Sequence, residues 1–293
     1  MIRILLVLLM VILPAFHCSG QENYYYGANM RPVSSEKEAM FVKELTKKSE
    51  KKYVIETRVL AGSGWTHLER QKIRVNQDGI LRIRINDEHF FPRRIFRTMS
   101  GSASGLYTFE ETAKQEKVRA GTSSTYLPLM LEGLVTEYYK NGAEKSVSIF
   151  QNNQLQSNQN WRPDGSPYID SIFYTADKMP IFKPGVAYFQ SCLIQHLVEA
   201  KVDLNEYDDD ILIGWVVMEN GHIDGVIPLK GKSKTLNQIL VESITKIPGE
   251  WEPAVLDGKP VRYFISMPLT ISHREAKFQD IEYSWGVLHY NRY

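Results

Sequence analysis

The chain has 293 residues, of which 43% are hydrophobic and 24% are charged, and its formal net charge at pH 7 is +1. This composition is typical of a globular protein with about two domains. It excludes a collagen-like, a disordered and a polytopic membrane protein, and the small net charge gives no electrostatic basis for binding nucleic acid.

An apolar run over residues 4–13 follows Arg3 near the start of the chain. It is shorter than the roughly 20 residues that a membrane-spanning helix needs. A cation followed by such a run predicts a secretory signal peptide over residues 1–20. Two outcomes stay open: plain cleavage near Gly20, or lipidation of Cys18 as in a lipoprotein, for which His17 is a poor preceding residue. N-terminal sequencing of the mature protein distinguishes them.

Residues 21–170 are predicted to be β-rich. The segment 53–60 favours a strand, and apolar residues alternate over 73–85 on both sides of Asp78-Gly79, which predicts a hairpin. A basic stripe of Arg74, Arg82 and Arg84 occupies the alternate positions, and we interpret it as the solvent-facing side of an antiparallel sheet.

The segment 101–125 is rich in Gly, Ser, Ala and Thr, and is predicted to be a connecting loop region with one short helix. After it, the turn dipeptides Asn141-Gly142, Asn152-Asn153 and Asp164-Gly165 recur at intervals of about eleven or twelve residues. Evenly spaced turns between short strands predict a β-meander of hairpins. The first unit, Tyr-Tyr-Lys-Asn-Gly at 138–142, resembles a MORN-type repeat of the variant found beside bacterial TonB-like domains.

The pattern changes in the last third of the chain. Apolar residues at 186, 189, 193, 194 and 197 have helical spacing, and the β-branched segment 211–218 predicts a strand. Asn220-Gly221 predicts a two-residue hairpin turn with positive φ at both positions, which leads into a second strand over 223–229. A second helix is predicted from the spacing of Leu236, Ile239, Leu240, Ile244 and Ile247.

Three local motifs accompany this order of elements. They are Met-Pro-Ile-Phe-Lys-Pro-Gly at 179–185, Trp251 with Pro253, and Gly-Lys-Pro-Val at 258–261. With them, residues 179–271 resemble the C-terminal domain of TonB, the periplasmic energy transducer of Gram-negative bacteria, and a TonB-like domain is predicted over residues 171–274. The fold class predicted is therefore α+β, an N-terminal antiparallel β-meander followed by a small TonB-like α-β-β-α-β domain.

The resemblance also implies a function. In that family the last strand offers its edge to an extended segment of an outer-membrane transporter, which is β-augmentation. The corresponding partner-binding residues here are Arg262, Tyr263, Phe264, Ile265, Ser266 and Met267. We expect a non-enzymatic binding module that engages an outer-membrane transporter or related envelope protein and supports TonB-dependent transport. We expect it in the periplasm or associated with a membrane of the cell envelope.

The alternative is a periplasmic scaffolding protein that keeps the TonB-like fold without energy transduction. It is favoured because the prolines of this chain are scattered singly, whereas the usual transducer has a long proline-rich spacer.

Motifs for chemistry are missing from the sequence. The seven histidines form no zinc-binding spacing, and neither a phosphate loop nor a Gly-x-Ser-x-Gly elbow occurs. We therefore expect no enzyme activity, cofactor or metal. Asp208-Asp209-Asp210 is interpreted as a solvated acidic loop and Cys192 as a buried structural thiol.

The C-terminal extension, residues 275–293, has Ile281, Tyr283, Trp285 and Val287 at alternate positions, which is typical of a strand. An exposed edge strand promotes aggregation, and proteins usually cover it. We expect this extra strand to pair with the 262–267 edge, either within one chain or across a homodimer, and to occlude it until a partner displaces the strand. The alternative is a strand packed elsewhere or a loose terminus.

Overall fold

The computed structural model describes residues 20–28, 30–61, 64–87, 93–101, 105–203, 206–272, 275–278 and 282–283. The protein is mostly β: a long antiparallel meander of 12 strands is followed by a mixed sheet that carries two helices. The predicted meander is confirmed. The predicted order after it, a helix, two strands, a helix and a strand, is also confirmed, with short additional strands around it.

The first sheet contains the first 12 strands of the chain, and a 3₁₀ turn, Glu36–Glu38, lies between the second and third. Neighbours in sequence are neighbours in space, except that β1 lies between β2 and β3. The strands are β1 Gln21–Tyr26, β2 Pro32–Val33, β3 Phe41–Ser49, β4 Lys52–Ala61, β5 Gly64–Val75, β6 Leu81–Asp87, β7 Arg93–Gly101, β8 Tyr107–Ala113, β9 Glu116–Ser123, β10 Leu131–Tyr138, β11 Glu144–Gln151 and β12 Gln154–Asn160.

The hairpin predicted at Asn220-Gly221 exists, but its loop has three residues instead of two. Met218 N donates to His222 O at 2.8 Å, and Gly221 N donates to Met218 O at 2.9 Å. Only Gly221 of the two has a positive φ, +81°, so the loop is a type I turn followed by a left-handed residue. Glycine suits that last position because it has no Cβ. The same pair of backbone hydrogen bonds closes the turns at 76–80, 139–143 and 162–166.

Residues 101–125 are not a loop with a short helix, and that prediction is wrong. Strands β8 and β9 form a hairpin whose pairing extends from Tyr107 opposite Ser123 to Ala113 opposite Glu116. Its two-residue turn, Lys114 and Gln115, has φ values of +52° and +72°. These residue types give little local turn signal, since left-handed backbone is unfavourable outside glycine and a few polar residues. Pairing with the neighbouring strands on both sides outweighs that local preference.

The first sheet curls until its two ends are in contact. Asn153, in the turn between β11 and β12, donates from Nδ2 to Met30 O at 3.1 Å. Tyr26 of β1 donates from Oη to Met130 Sδ, just before β10, at 3.2 Å. Because adjacent strands are rotated in the same sense, a twisted sheet of many strands tends to curl in this way. The curl gives the sheet an inner face, on which isoleucines and charged side chains lie together.

The second sheet is built around one long strand, β19, with the order β13-β19-β15-β16 and three further short strands paired to β19. A separate two-stranded ladder joins β14 and β17. The elements are β13 Ile172–Phe173, β14 Ile181–Phe182, α1 Val186–Glu199, β15 Asp209–Val217, β16 Ile223–Lys230, α2 Lys234–Lys246, β17 Trp251–Glu252, β18 Ala254–Leu256, β19 Lys259–Ser272, β20 Glu275–Phe278 and β21 Glu282–Tyr283.

Both helices pack on one face of this sheet, around an aromatic cluster. Phe189 of α1 stacks on Trp215 of β15 with ring centroids 5.4 Å apart, and Trp251 lies 5.1 Å from Phe182. Trp251 is only 4% exposed, and this large aromatic side chain covers the junction of the helices and the sheet. At the start of α2, Ser233 Oγ caps the helix by accepting from Leu236 N at 3.2 Å.

The apolar spacing of α1 is confirmed for Phe189, Leu193 and Leu197, which are buried. Ile194 is 45% exposed, because it lies beside the apolar stripe instead of on it. The expectation of a buried thiol is wrong, since Cys192 is a free cysteine that is only half-buried.

The three aspartates are not a solvated loop either, because β15 begins at Asp209. Asp209 is buried and accepts a hydrogen bond from Lys232 N at 2.5 Å. Asp210 accepts one from Thr270 Oγ1 of the neighbouring strand at 2.9 Å. The two carboxylates thus hold the beginning of β15 against the elements on both of its sides.

We predict that Trp251→Ala lowers the free energy of unfolding by about 3–5 kcal/mol, because it removes a buried indole from the centre of the aromatic cluster. Urea denaturation followed by far-UV circular dichroism measures this. Tyr188→Ala on α1, where the ring is 45% exposed, is the control and should change stability little. An unchanged midpoint for Trp251→Ala would contradict the central role of this side chain.

Candidate functional site

The six residues expected to bind a partner all lie on β19, and their side chains point alternately to its two faces. Tyr263, Ile265 and Met267 belong to the core under the helices, while Phe264 packs with Ile172 and Val216 on the opposite face. Ser266 is also buried, and Arg262 is half-buried. Since few of these side chains are accessible, a partner at this site would have to contact the backbone of the strand.

One side of the β19 backbone is paired without interruption. Strand β15 runs antiparallel to it, from Val217 opposite Tyr263 to Asp209 opposite Ile271. Nine successive residues of β19 have a partner in this ladder. This side is therefore closed to any other segment.

Among the residues that the structure describes, the other side is paired in three pieces. β13 lies parallel to it at Arg262 and Tyr263, β21 is antiparallel at Ile265 and Ser266, and β20 is antiparallel over residues 269–272. The expected pairing of the C-terminal extension with the 262–267 edge is thus confirmed for β21, within one chain. Residues 279–281 and 284–293 of the extension lie outside the described residues. The role of the edge in binding a partner stays a prediction.

The start of β19 is held by polar contacts from other parts of the chain. Arg262 Nε donates to Glu219 at 3.0 Å, and its guanidinium also donates to Asp170 O at 2.8 Å. Tyr263 Oη donates to Tyr174 O at 3.0 Å. The bonds to Asp170 and Tyr174 fasten β19 to the segment between β12 and β14, and the bond to Glu219 fastens it to the loop between β15 and β16.

A second candidate site lies on the inner face of the first sheet, where three strands supply a buried ion cluster. Arg97 of β7 donates to Glu111 Oε1 from Nε at 2.7 Å, and Arg119 of β9 donates to Glu111 Oε2 at 2.9 Å. Burial by itself would raise the pKa of Glu111, but the two guanidinium groups outweigh it and lower that pKa to about 2. The carboxylate is therefore charged throughout the physiological pH range.

Sequence reasoning missed this cluster because two of its three residues lie in the segment that was predicted to be a loop. A signal does exist there: Tyr107, Phe109 and Glu111 alternate with polar residues, and Phe109 and Glu111 are buried. An isolated Glu in a polar segment does not reveal that its opposite neighbours on both sides are arginines, because that pairing depends on strand register.

The basic stripe lies where it was expected, on the exposed outer face of the first sheet. Its members face other cations across the ladder. Arg74 is opposite Arg82, and Arg84 is opposite both Lys72 and Arg94. Like charges directly opposite each other destabilise a sheet slightly, and solvent screening at the surface keeps this cost small.

Two of the histidines that the structure describes have structural surroundings. His196 Nδ1 contacts Ser243 O at 3.2 Å and so bridges the two helices, and His222 lies in the hairpin loop. Within the described part of the chain, no group of three or more His, Cys, Asp or Glu side chains is arranged to hold a metal ion. The predicted signal peptide and Cys18 lie outside the described residues, except for Gly20.

Comparisons with protein-family models, with curated protein sequences and with solved structures found no match to this chain. Neither helix of the described residues has the length and hydropathy of a membrane-spanning segment.

We predict that Glu111→Gln costs about 3–5 kcal/mol of stability at pH 7, because it leaves two buried guanidinium groups without their counter-charge. The pKa of Glu111 is depressed, so its contribution is present above the ordinary value of 4.5 and is lost as the pH falls toward 2. Urea denaturation at a series of pH values should show this acid-dependent component in the wild type and not in the variant.

Glu110→Gln is the matched control for this experiment. Glu110 is exposed and pairs with Lys117 at 2.7 Å, and a surface ion pair contributes about 0–1 kcal/mol. If Glu111→Gln were as stable as Glu110→Gln and had the same acid dependence as the wild type, the cluster would not hold the inner face together.

Proposed function

We propose that the second sheet and its helices form a non-enzymatic, TonB-type protein-binding module of the cell envelope. It engages an extended segment of an outer-membrane transporter or related envelope protein by β-augmentation on β19, in support of TonB-dependent transport. The observation that carries the proposal is the asymmetry of β19, which is continuously paired on one side and paired in short pieces on the other. The resemblance of residues 179–271 to the TonB C-terminal domain supports the same proposal.

The physics of such binding lies in the exchange of one strand for another. A partner segment would form main-chain hydrogen bonds of the same kind as the two-residue β21 that it displaces. The number of hydrogen bonds therefore does not fall, and a longer segment would add to it. Among the described residues, Phe264, Met267 and Pro268 are opposite residues of β15 alone.

A scaffolding protein that keeps this fold without energy transduction is the alternative. The specific observation in its favour is that the chain already covers its own edge through β13, β20 and β21. The absence of a proline-rich spacer points the same way. In this alternative the extension would complete the sheet permanently.

We predict that deleting residues 279–293, which removes β21, opens the edge to a peptide added in trans. A labelled synthetic peptide with the sequence of 279–293 should bind the truncated protein. It should bind the full-length protein at least about tenfold more weakly, because a tethered segment competes at an effective concentration in the millimolar range. Fluorescence anisotropy measures both affinities.

The control peptide carries proline in place of both Glu282 and Tyr283. Proline cannot donate a backbone hydrogen bond. With proline at both positions, the hydrogen bond to β19 is lost regardless of which of the two residues makes it, so this peptide should fail to bind. Light scattering of both proteins shows whether truncation changes the oligomeric state. Equal binding of the native peptide to full-length and truncated protein would contradict an edge that the extension occludes.

We further predict that a photo-cross-linking amino acid at position 262, where the Arg side chain is 32% exposed, captures a neighbour in intact cells. Truncation should increase the yield. An adduct with an outer-membrane transporter supports the transport role, and one with another envelope protein supports scaffolding. The same amino acid at Lys117, on the outer face of the first sheet, is the control. A yield at 262 no greater than at 117 would contradict both roles.

A further inference from the structure

A cavity of about 400 Å³ lies between the inner face of the first sheet and the segments 173–175 and 256–261 of the second part of the chain. We name it the inter-sheet cavity. Apolar side chains, among them Ile55, Ile95, Leu131 and Phe150, form much of its wall. Its volume is within the range of about 300–1,000 Å³ that small-molecule sites occupy.

The charged groups in the wall of the inter-sheet cavity do not balance. Lys43, Arg97 and Arg119 are cations that face only two carboxylates, Glu69 and Glu111. The wall has four other charged residues, and their charges cancel: Glu137 and Asp257 are negative, and Lys145 and Lys259 are positive. Lys145 and Glu137 pair with each other at 3.5 Å. The wall therefore has one positive charge in excess.

That excess is located at Lys43. Its Nζ lies 5.1 Å from the centroid of the Tyr26 ring, and no carboxylate of the described residues lies within 4.0 Å of it. Arg97 and Arg119 instead use their guanidinium groups to hold Glu111. The pKa of Lys43 is lowered to about 8, chiefly by burial; Glu69 opposes this shift, and Arg119 and Arg97 contribute to it. A desolvated ammonium group with no adjacent counter-ion is costly, and an anion beside it would remove that cost.

We propose that the inter-sheet cavity binds a small amphiphilic monocarboxylate, with the carboxylate at Lys43 and the apolar chain against the isoleucine, leucine and phenylalanine side chains of the wall. One negative charge matches the one positive charge in excess. An apolar chain matches the apolar part of the wall, whose burial supplies affinity in proportion to its area; the wall also contains uncharged polar side chains such as Gln71, Ser146 and Asn158. This site is separate from β19 and does not depend on the binding of a protein partner there.

The test uses octanoate as the probe, titrated into the full-length protein by isothermal calorimetry. Octan-1-ol has a similar chain without the charge, and acetate has the charge without the chain. We expect octanoate to bind at least about tenfold more tightly than either one, since a charge-assisted hydrogen bond and buried apolar area each contribute more than a factor of ten. If octanoate does not bind, or binds no better than octan-1-ol, the proposal is wrong.

Lys43→Met is the decisive variant, because methionine keeps an unbranched chain of similar length and removes the charge. It should lose octanoate binding by at least about tenfold and leave octan-1-ol binding unchanged. The variant should be as stable to urea as the wild type or more stable, since it removes a half-buried cation that has no close counter-ion.

Lys52→Met is the matched control, since Lys52 is exposed on β4 and lies outside the wall of the cavity. It should change neither affinity. Unchanged octanoate binding by Lys43→Met would overturn the assignment of the carboxylate to Lys43. A large loss of stability in Lys43→Met would show that the lysine has a structural role instead, and would also overturn the proposal.

Discussion

The backbone of β19 is the constraint on which the second half of this structure depends. A strand of 14 residues in the interior of a sheet presents N–H and C=O groups on both sides, and unpaired backbone groups are costly when they are buried. The chain meets this demand on one side with the continuous strand β15. On the other side it uses three short segments, β13 from the connector between the sheets and β20 and β21 from the C-terminal extension that follows β19. The arrangement explains why the connector between the sheets and the C-terminal extension both converge on the same strand.

The first sheet satisfies a different constraint, which is the placement of charge on a buried face. Successive side chains of a strand point to opposite faces of the sheet. In a curled sheet, every second side chain therefore lies on the enclosed face and must be accommodated there. Isoleucine, leucine and phenylalanine occupy many of these positions and uncharged polar residues occupy others, but Glu111 lies between Arg97 and Arg119, and Lys43 faces the cavity. A charged group at an inward position needs a partner, and register supplies one for Glu111 from each neighbouring strand.

Much of the fold could be predicted because its signals are local. Asp78-Gly79, Asn141-Gly142 and Asn220-Gly221 each require a left-handed residue at a tight turn, and each lies at a hairpin in the structure. The burial of Trp251 follows from the size of its apolar side chain. The second helix follows from the helical period of its apolar residues, among them Leu236, Leu240 and Ile244, which are buried. The hairpin at Lys114-Gln115 could not be predicted in the same way, because neither residue type favours the backbone conformation that strand pairing imposes on it.

The sequence by itself determined the alternation of apolar residues, the positions of most turns, and the existence of a β-meander followed by a helix-containing sheet. These features depend on periodicity and on the conformational preferences of single residues. Only the tertiary structure decided that Arg97, Glu111 and Arg119 meet, that Asp209 is buried, that Cys192 is half-exposed, and that β21 lies on the edge of β19. Each of these depends on register or on the packing of segments far apart in the chain, which no local pattern specifies, because a shift of one residue in register would turn every side chain to the other face.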